Sequence, residues 1–365
     1  MNKKLQIREV LTLLLIFLIV LQLTGCVETG NLQNGQDLLP LVPTTTPEPI
    51  SPQIKIEVIP KENTIPPQRT PAQQIHTVSV TPKANGGKYT IAWISDTQHY
   101  SAYFPETFLT MTRYLKVKRQ ELNLGYVVHT GDLVASRTNV KQWVNARRAM
   151  DELSSIPYGV LAGNHDVGQS FNYTNYSAYF GEKAFSRYQY YGESLLNNRC
   201  HYDLITMGNT DYIFVYLGYQ PGEDSIRFAN EMFAKYADRV GILCVHEYLG
   251  SHSTLRAIGQ TLQEKVVKPN SNVYMVLSGH RYDEDCVTAY FDDNGDGKTD
   301  RKVYQCIANY QNIDKKGGSG YMRFIEIDEE KGTIHFYTYS PLLDQYRSAS
   351  QTATNPAATM PIPWK

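Results

Sequence analysis

A chain of 365 residues, 42% of them apolar, holds enough material for one large buried core or two small ones. Its formal net charge of −1 excludes an electrostatic footprint for nucleic acid and a basic face for anionic lipid. Tyrosine is in excess at 27 residues, which serves packing and amphipathic surface and also suits loops that contact sugars, bases or lipid headgroups.

The first element reads as an address label. Asn2-Lys3-Lys4 is basic, residues 10–23 are apolar but short for a helix that stays across a membrane, and Leu23-Thr24-Gly25-Cys26 closes the stretch. That ending resembles the lipobox of prokaryotic lipoproteins, which implies a signal peptide over 1–25, lipidation of Cys26 and a membrane partner reached through the lipid anchor. The alternative is a retained signal anchor; either way the rest of the chain is expected outside the cytoplasm. Residues 26–87, with Pro43-Thr44-Thr45-Thr46-Pro47, read as a disordered Pro/Thr-rich tether carrying a weak strand at 54–59.

A folded domain is expected over residues 88–340. Residues 91–95 read as a strand running into Asp96-Thr97-Gln98-His99. Residues 104–123 place Phe108, Met111, Leu115 and Leu122 near helical period, with Pro105 in a first turn. Residues 126–130 form the next strand and deliver Gly131-Asp132, after which 140–153 repeat the helical pattern behind Asn139 as N-cap. Residues 158–161 then lead into Ala162-Gly163-Asn164-His165-Asp166, so the order is β-α-β-α-β with a parallel sheet. A tyrosine-rich insertion at 171–191 leaves from the rim of that turn, either as a substrate-contacting lid or wall, or as a flap packed by its own aromatics.

Further along, 202–206 and 212–217 read as a hairpin joined by 207–211, and 225–238 as a helix. Residues 240–245 form a strand ending at His246, 255–267 a helix, and 273–277 a strand ending in Ser278-Gly279-His280. Four more strands are expected at 287–291, 303–308, 321–327 and 333–339, followed by a poorly ordered C-terminal tail, 341–365. Helices early and strands late favour an α/β fold with two sheets packed together and helices outside.

Five strand ends thus deliver metal-type side chains, and open α/β sheets place their sites at such ends. Gly163 is expected to turn the backbone tightly while Asn164 offers a carbonyl oxygen and His165 points at whatever a metal binds. In this order Asp96, Gly131-Asp132, Gly163-Asn164-His165-Asp166, His246 and Gly279-His280 resemble the calcineurin-like metallophosphoesterases, over about residues 88–339. The resemblance implies a four-layer sandwich of two central mixed β-sheets flanked by helices, with a dinuclear metal centre. It implies that Asp132 bridges two ions, that Asn164, His246 and His280 complete one site, and that Asp96 belongs to the other. His165 would then stabilise the phosphate and protonate the leaving oxygen.

Two positions depart from the family pattern. Gln98 stands where D-x-H has its histidine, and Tyr282 where G-H-x-H ends. Gln98 can still coordinate through its carbonyl oxygen, Tyr282 is a poor ligand while protonated, and the side chain of His99 is expected to point elsewhere. The mixed nitrogen and oxygen set suits manganese, iron or zinc, whereas Asp96, Gln98 and Asp132 offer oxygen only and suit manganese or magnesium at a weaker site. Arg281 either contacts a phosphate oxygen in place of the lost charge or is a surface arginine. The expected activity is hydrolysis of a phosphate mono- or diester by a metal-activated water at the cell surface, with a phosphoester substrate as partner. The alternative is a degenerate member that binds an envelope polymer or sugar.

A second constellation is Asp292-Asp293-Asn294-Gly295-Asp296-Gly297-Lys298-Thr299-Asp300, whose D-x-N-x-D-G spacing resembles a calcium loop with Asp292, Asn294, Asp296 and Asp300 as donors. Val303 occupies the twelfth place, where such loops carry glutamate, so an acidic hairpin turn is the favoured reading. Cys286 and Cys306 are equally far from Asp296, and simple hairpin register would set them opposite one another as a disulfide; buried thiols are the alternative. Cys244 reads as a core thiol and His129 as a core or hydrogen-bonded histidine, and His201, His252 and His335 are left off the ligand set.

Overall fold

The computed structural model describes residues 78–79, 87–348 and 358–365, all within one unit, Arg69–Lys365. Segment 1–25, Cys26, the weak strand at 54–59 and most of the tether 26–87 lie outside the described residues. In chain order the first strands are β1 (Val78–Ser79), β2 (Lys88–Ile94), β3 (Leu124–His129), β4 (Tyr158–Val160), β5 (Tyr191–Leu195), β6 (Cys200–Met207) and β7 (Thr210–Leu217). They continue as β8 (Val240–Val245), β9 (Val273–Ser278), β10 (Glu284–Phe291), β11 (Arg301–Ala308), β12 (Met322–Asp328), β13 (Thr333–Ser340), β14 (Gln345–Tyr346) and β15 (Ala358–Pro361). The helices are α1 (Gln98–Tyr103), α2 (Pro105–Val117), α3 (Val140–Asp151), α4 (Asn164–Val167), α5 (Thr174–Phe180), α6 (Glu182–Phe185), α7 (Glu223–Lys235) and α8 (Ala257–Leu262).

Two mixed sheets result, with helices flanking them. One runs β14-β13-β12-β2-β3-β4 with β15 on β13; the other runs β1-β6-β7-β8-β9-β11-β10 with β5 on β6. In the first, β2, β3 and β4 are parallel, and in the second β7, β8, β9 and β11 are parallel. Every residue of β3 is buried, as expected of a strand covered on both faces. The sheets meet through aromatics: Tyr126 of β3 lies 4.2 Å from the ring of Phe214 of β7, and Tyr89 of β2 shares a 2.6 Å hydrogen bond with Tyr212.

The helices follow the apolar spacing with shifted ends. Asn139 caps α3 by accepting from Lys141 N, and Trp143, Ala146, Ala149 and Met150 form its buried stripe. The helix expected over 104–123 ends at Val117, because the polar run after it has no face to bury and Asn123 adopts φ 50°. Pro105 opens α2 and separates it from α1, since its ring removes the N–H that one continuous helix would need. The hairpin between β6 and β7 turns through only two residues, with Gly208 at φ 58°.

One open alternative is decided and one expectation is corrected. The tyrosine-rich insertion is largely a packed flap: Tyr176, Phe180 and Phe185 are fully buried, and Tyr179 stacks on Trp143 at 5.8 Å. The residues described after Pro341 are not a loose tail, because β14 and β15 both pair with the edge of β13, and Trp364 sets its ring 5.8 Å from Tyr212. An edge strand carries unpaired amides and carbonyls that a returning segment satisfies. β10 and β11 pair in simple register with Cys286 opposite Cys306, and the two are joined by a disulfide. Cys200 and Cys244 are buried free thiols.

Candidate metal centre

Five chain segments from two sheets deliver the centre. Asp96, Asp132 and Asn164 follow β2, β3 and β4, whereas His246 and His280 follow β8 and β9 of the other sheet. Three of these residues leave their strands with left-handed backbone, Asp96 at φ 54°, Asp132 at φ 57° and His280 at φ 70°. For a residue with a Cβ that conformation costs roughly 1 kcal/mol or more. The neighbouring glycines answer a need for space. A Cβ on Gly163 would lie 2.2 Å from Asp132 Oδ1, and one on Gly279 would lie 2.4 Å from Asp96 Oδ2. Gly163 itself has an ordinary φ of −94°, so close approach, and not the tight turn expected from the sequence, requires glycine there.

The donor atoms converge. Asn164 Oδ1 is 2.9 Å from both His246 Nε2 and His280 Nδ1, these two nitrogens are 3.2 Å apart, and His246 Nε2 is 3.4 Å from Asp132 Oδ2. His246 Nδ1 donates to Thr130 O at 2.8 Å, which turns Nε2 toward the cluster. Lone pairs gathered this closely repel unless a positive charge sits among them. A proton on His246 supplies such a charge, and a cation can take its place. Burial alone would lower His246, but Asp132 and Asp96 carry its imidazolium up to about 10. Burial pushes the Asp96 carboxyl up to about 7 against the pull of His246, with Asp132 adding to the rise. Burial first, then the charge of His246, holds His280 down at about 4, as a neutral donor.

Asp132 faces both halves of the centre. Its Oδ1 accepts from His165 N at 2.9 Å, and its Oδ2, near His246, also accepts from Gln98 Nε2 at 3.2 Å. Gln98 is buried, and its Oε1 has no hydrogen-bond partner among the described residues. A buried carbonyl oxygen without a donor is costly unless a cation takes its lone pairs. Asp96 completes this oxygen-rich side, accepting from Ser95 Oγ at 2.6 Å and His280 N at 3.0 Å. The residues present therefore fit a divalent cation at the His246 and His280 side, and an oxygen-only set at the Gln98 side.

The remaining candidates divide. His165 is exposed, and its Nδ1 lies 3.1 Å from Ala135 O, which leaves Nε2 to the solvent side. Arg281 is exposed and stands with His280 and Glu247 at a cavity of about 300 Å³. Tyr282 is 55% exposed and turned away from ligation, and His99 stays outside the cluster with its ring 6.3 Å from that of Tyr103. The possible calcium loop forms the acidic hairpin turn that the sequence favours. Asp292 accepts from the amides of Gly295, Asp296 and Gly297, Asp296 from that of Lys298, and Asn294 from that of Asp296. Asp300 accepts from Asp293 N and Asn294 N. The grouping of metal-type side chains found among the described residues is Asp132, His246 and His280.

Other residues hold the site, among them His129, which the sequence reads as a core or hydrogen-bonded histidine. Asp166 is fully buried and takes the amides of Gly163, Leu133 and Val134 at 2.8 to 3.1 Å, locking the β3 and β4 loops together. Gly131 N donates to His129 Nδ1, so His129 donates from Nε2 to Thr97 Oγ1 at 3.0 Å; burial and then His246 hold it neutral, at about 3. Asn309 Nδ2 donates to His280 O at 3.1 Å. The aspartate lay in the quoted G-N-H-D run, but Asn309 has no sequence signal.

Comparison with known proteins places these features. The family model for calcineurin-like phosphoesterases matches residues 89–282. The uncharacterized protein YvnB of Bacillus subtilis (strain 168) is 44% identical over 256 residues, covering 69% of this chain and 20% of that protein. The chain therefore spans about a fifth of the length of that relative. Among solved structures, the purple acid phosphatase PPD1 from yellow lupin (Lupinus luteus) seeds superposes with a TM-score of 0.48 at 12% identity, over 75% of this chain and 54% of that one. GAP50, the anchor in the inner membrane complex of Plasmodium, gives 0.47 at 12% identity, over 76% of this chain and 89% of that one.

Proposed function

We propose, from the premise that this chain belongs to the calcineurin-like phosphoesterases, whose members work through a dinuclear metal centre, that it hydrolyses a phosphate mono- or diester outside the cytoplasm, held to the membrane by a lipid on Cys26. The observation that carries the catalytic part is the meeting of Asp132, Asn164, His246 and His280 donor atoms within 2.9 to 3.4 Å. The Leu-Thr-Gly-Cys ending supports the anchor.

Asn164, His246, His280 and Asp132 would hold a manganese, iron or zinc ion, and Asp96, Gln98 and Asp132 a weaker manganese or magnesium ion. Bound divalent ions supply Lewis acidity and a water of lowered pKa. The protein's own groups do the rest. Asp132, with one oxygen fixed by His165 N, keeps the two halves of the centre in register. His165, steadied through Nδ1 by the Ala135 carbonyl, presents Nε2 to the leaving oxygen and donates the proton that lets it depart. Thr130 holds the His246 ring so that its donor nitrogen stays aimed inward, and Asn309 ties down the backbone of His280.

Assay of p-nitrophenyl phosphate and bis-p-nitrophenyl phosphate with manganese tests the reading: turnover of either supports it. A protein that binds manganese yet turns over neither, nor any other phosphoester tried, returns the choice to an envelope polymer or sugar binding module. The burial of the tyrosine-rich flap, which removes most of a sugar platform, favours the enzyme. For the anchor, a Cys26→Ala chain should leave the membrane fraction; equal partition of both forms would reject lipidation.

A further inference from the structure

The cavity beside His280 is unused by the chemistry above, and its make-up is specific. His280 is the shared wall: Nδ1 faces Asn164 in the centre, and Nε2 lies 3.8 Å from Glu247 Oε1 in the cavity. Glu247 is 9% exposed and already engaged on both oxygens, Oε1 accepting from Arg256 Nε at 3.1 Å and Oε2 from Gln220 Nε2 at 3.5 Å. Arg256 thus spends its charge on Glu247. Arg281 is a second guanidinium at the same cavity, and no side-chain hydrogen bond or ion pair engages it among the described residues. Two cations against one carboxylate leave one positive charge unmatched.

Beside His280 the wall is aromatic. Tyr219 sets its ring 5.8 Å from that of His246 and 6.2 Å from that of His280, and Phe171, 47% exposed, stacks on it at 6.2 Å. The backbone of Tyr219 is pinned at both ends, its N–H donating to Ala162 O at 2.9 Å and its carbonyl accepting from Tyr173 O–H at 3.3 Å. Next to it Gln220 sits in left-handed backbone, φ 52°, although it is not a glycine. Such strain is kept where a surrounding structure fixes a residue for a task.

We propose that this cavity is a recognition subsite for the part of the substrate attached to the scissile phosphoryl group, and that it selects organophosphates carrying a second anionic group, a carboxylate or another phosphate, on a ring or chain lying along Tyr219. Arg281 provides the charge for that second anion, with a planar guanidinium suited to either oxyanion. The inference rests on the reading that a phosphoryl group occupies the metal centre, and it assigns Arg281 to substrate selection and not to the reacting phosphate.

Binding of phosphonates, which are not hydrolysed, separates the two. Dissociation constants of the manganese-loaded full chain are measured by calorimetry for benzylphosphonate, 4-carboxybenzylphosphonate, methylphosphonate and methylenediphosphonate. The member carrying the second acid group in at least one pair should bind tighter by about fivefold or more, the upper worth of one exposed ion pair. The pair that shows it identifies the carboxylate or the phosphate as the anion read. That ratio should fall to about one in Arg281→Gln and return at least in part in Arg281→Lys. Equal affinities within both pairs, a preference that survives Arg281→Gln, or no binding of any of the four overturns the subsite. Failure of turnover with the ratio intact instead overturns the hydrolytic reading alone.

Discussion

Asp166 offers no lone pair to the donor cluster, yet it decides where Asn164 and Asp132 meet, because its two oxygens collect three amides from two loops. Asp166→Asn replaces one acceptor by a donor aimed at those amides. The variant should lose about 1–3 kcal/mol of stability by urea unfolding and bind manganese about 10–100-fold more weakly by calorimetry. His165 is the opposite case: exposed, and reached by Asp132 only through its backbone amide. His165→Ala should lower kcat by about 10²–10⁴ while ion content measured by atomic emission stays that of the native chain; unchanged kcat removes it from proton transfer. The converging residues Asp132, Asn164, His246 and His280 were legible because each ends an apolar run, so a pattern of strand plus donor exposes them. Thr130 acts through a carbonyl and Asn309 from an irregular loop, and neither backbone atoms nor loop conformation leaves a periodic trace.

Among the elements, β2 to β4 were legible as parallel strands and β6 and β7 as a hairpin, and β8 to β13 were legible in place without their sense, since their apolar runs are long. The edges were not. β14 and β15 come from a short segment that orders by pairing with the open side of β13 and by packing Ile362 and Trp364, which is a tertiary fact. The seam between sheets also holds a buried carboxyl that no pattern announced: Asp203 of β6 accepts from Tyr126 of β3, and Tyr126 accepts from Tyr216 of β7 at 3.0 Å. Burial pushes the Asp203 carboxyl well above its ordinary value, outweighing the Tyr126 hydrogen bond. Its folded pKa is thus raised above the unfolded one, near 3.9. The associated stability is complete below that unfolded pKa and is lost as pH rises toward the folded value. Asp203→Asn cannot ionise, so its urea midpoint should gain on that of the native chain between about pH 5 and about pH 8. A difference independent of pH would place an ordinary titration at Asp203.

At the scale of the whole molecule, the two sheets were legible as a mixed α/β pair, and what joins them at the centre is chemical as well as apolar. Donors from both sheets converge, so a bound ion ties one sheet to the other. The two donor sets are unequal, mixed nitrogen and oxygen on one side and oxygen alone on the other, with Tyr282 turned outward. Protein purified without added metal should retain one ion per chain through dialysis and lose the other; two ions retained alike would contradict the asymmetry. Chelation of the tight ion should lower the melting temperature, by a stability loss of about 2.7 kcal/mol where free ion had stood at a hundredfold over Kd.

Asp96 and His280, joined by a hydrogen bond at the centre, are 184 positions apart along the chain. A polypeptide still emerging from a ribosome or threading through a pore presents no assembled nest, only scattered acids, amides and imidazoles. An ion that needs donors from both ends of that span can be gripped only once the two sheets have come together.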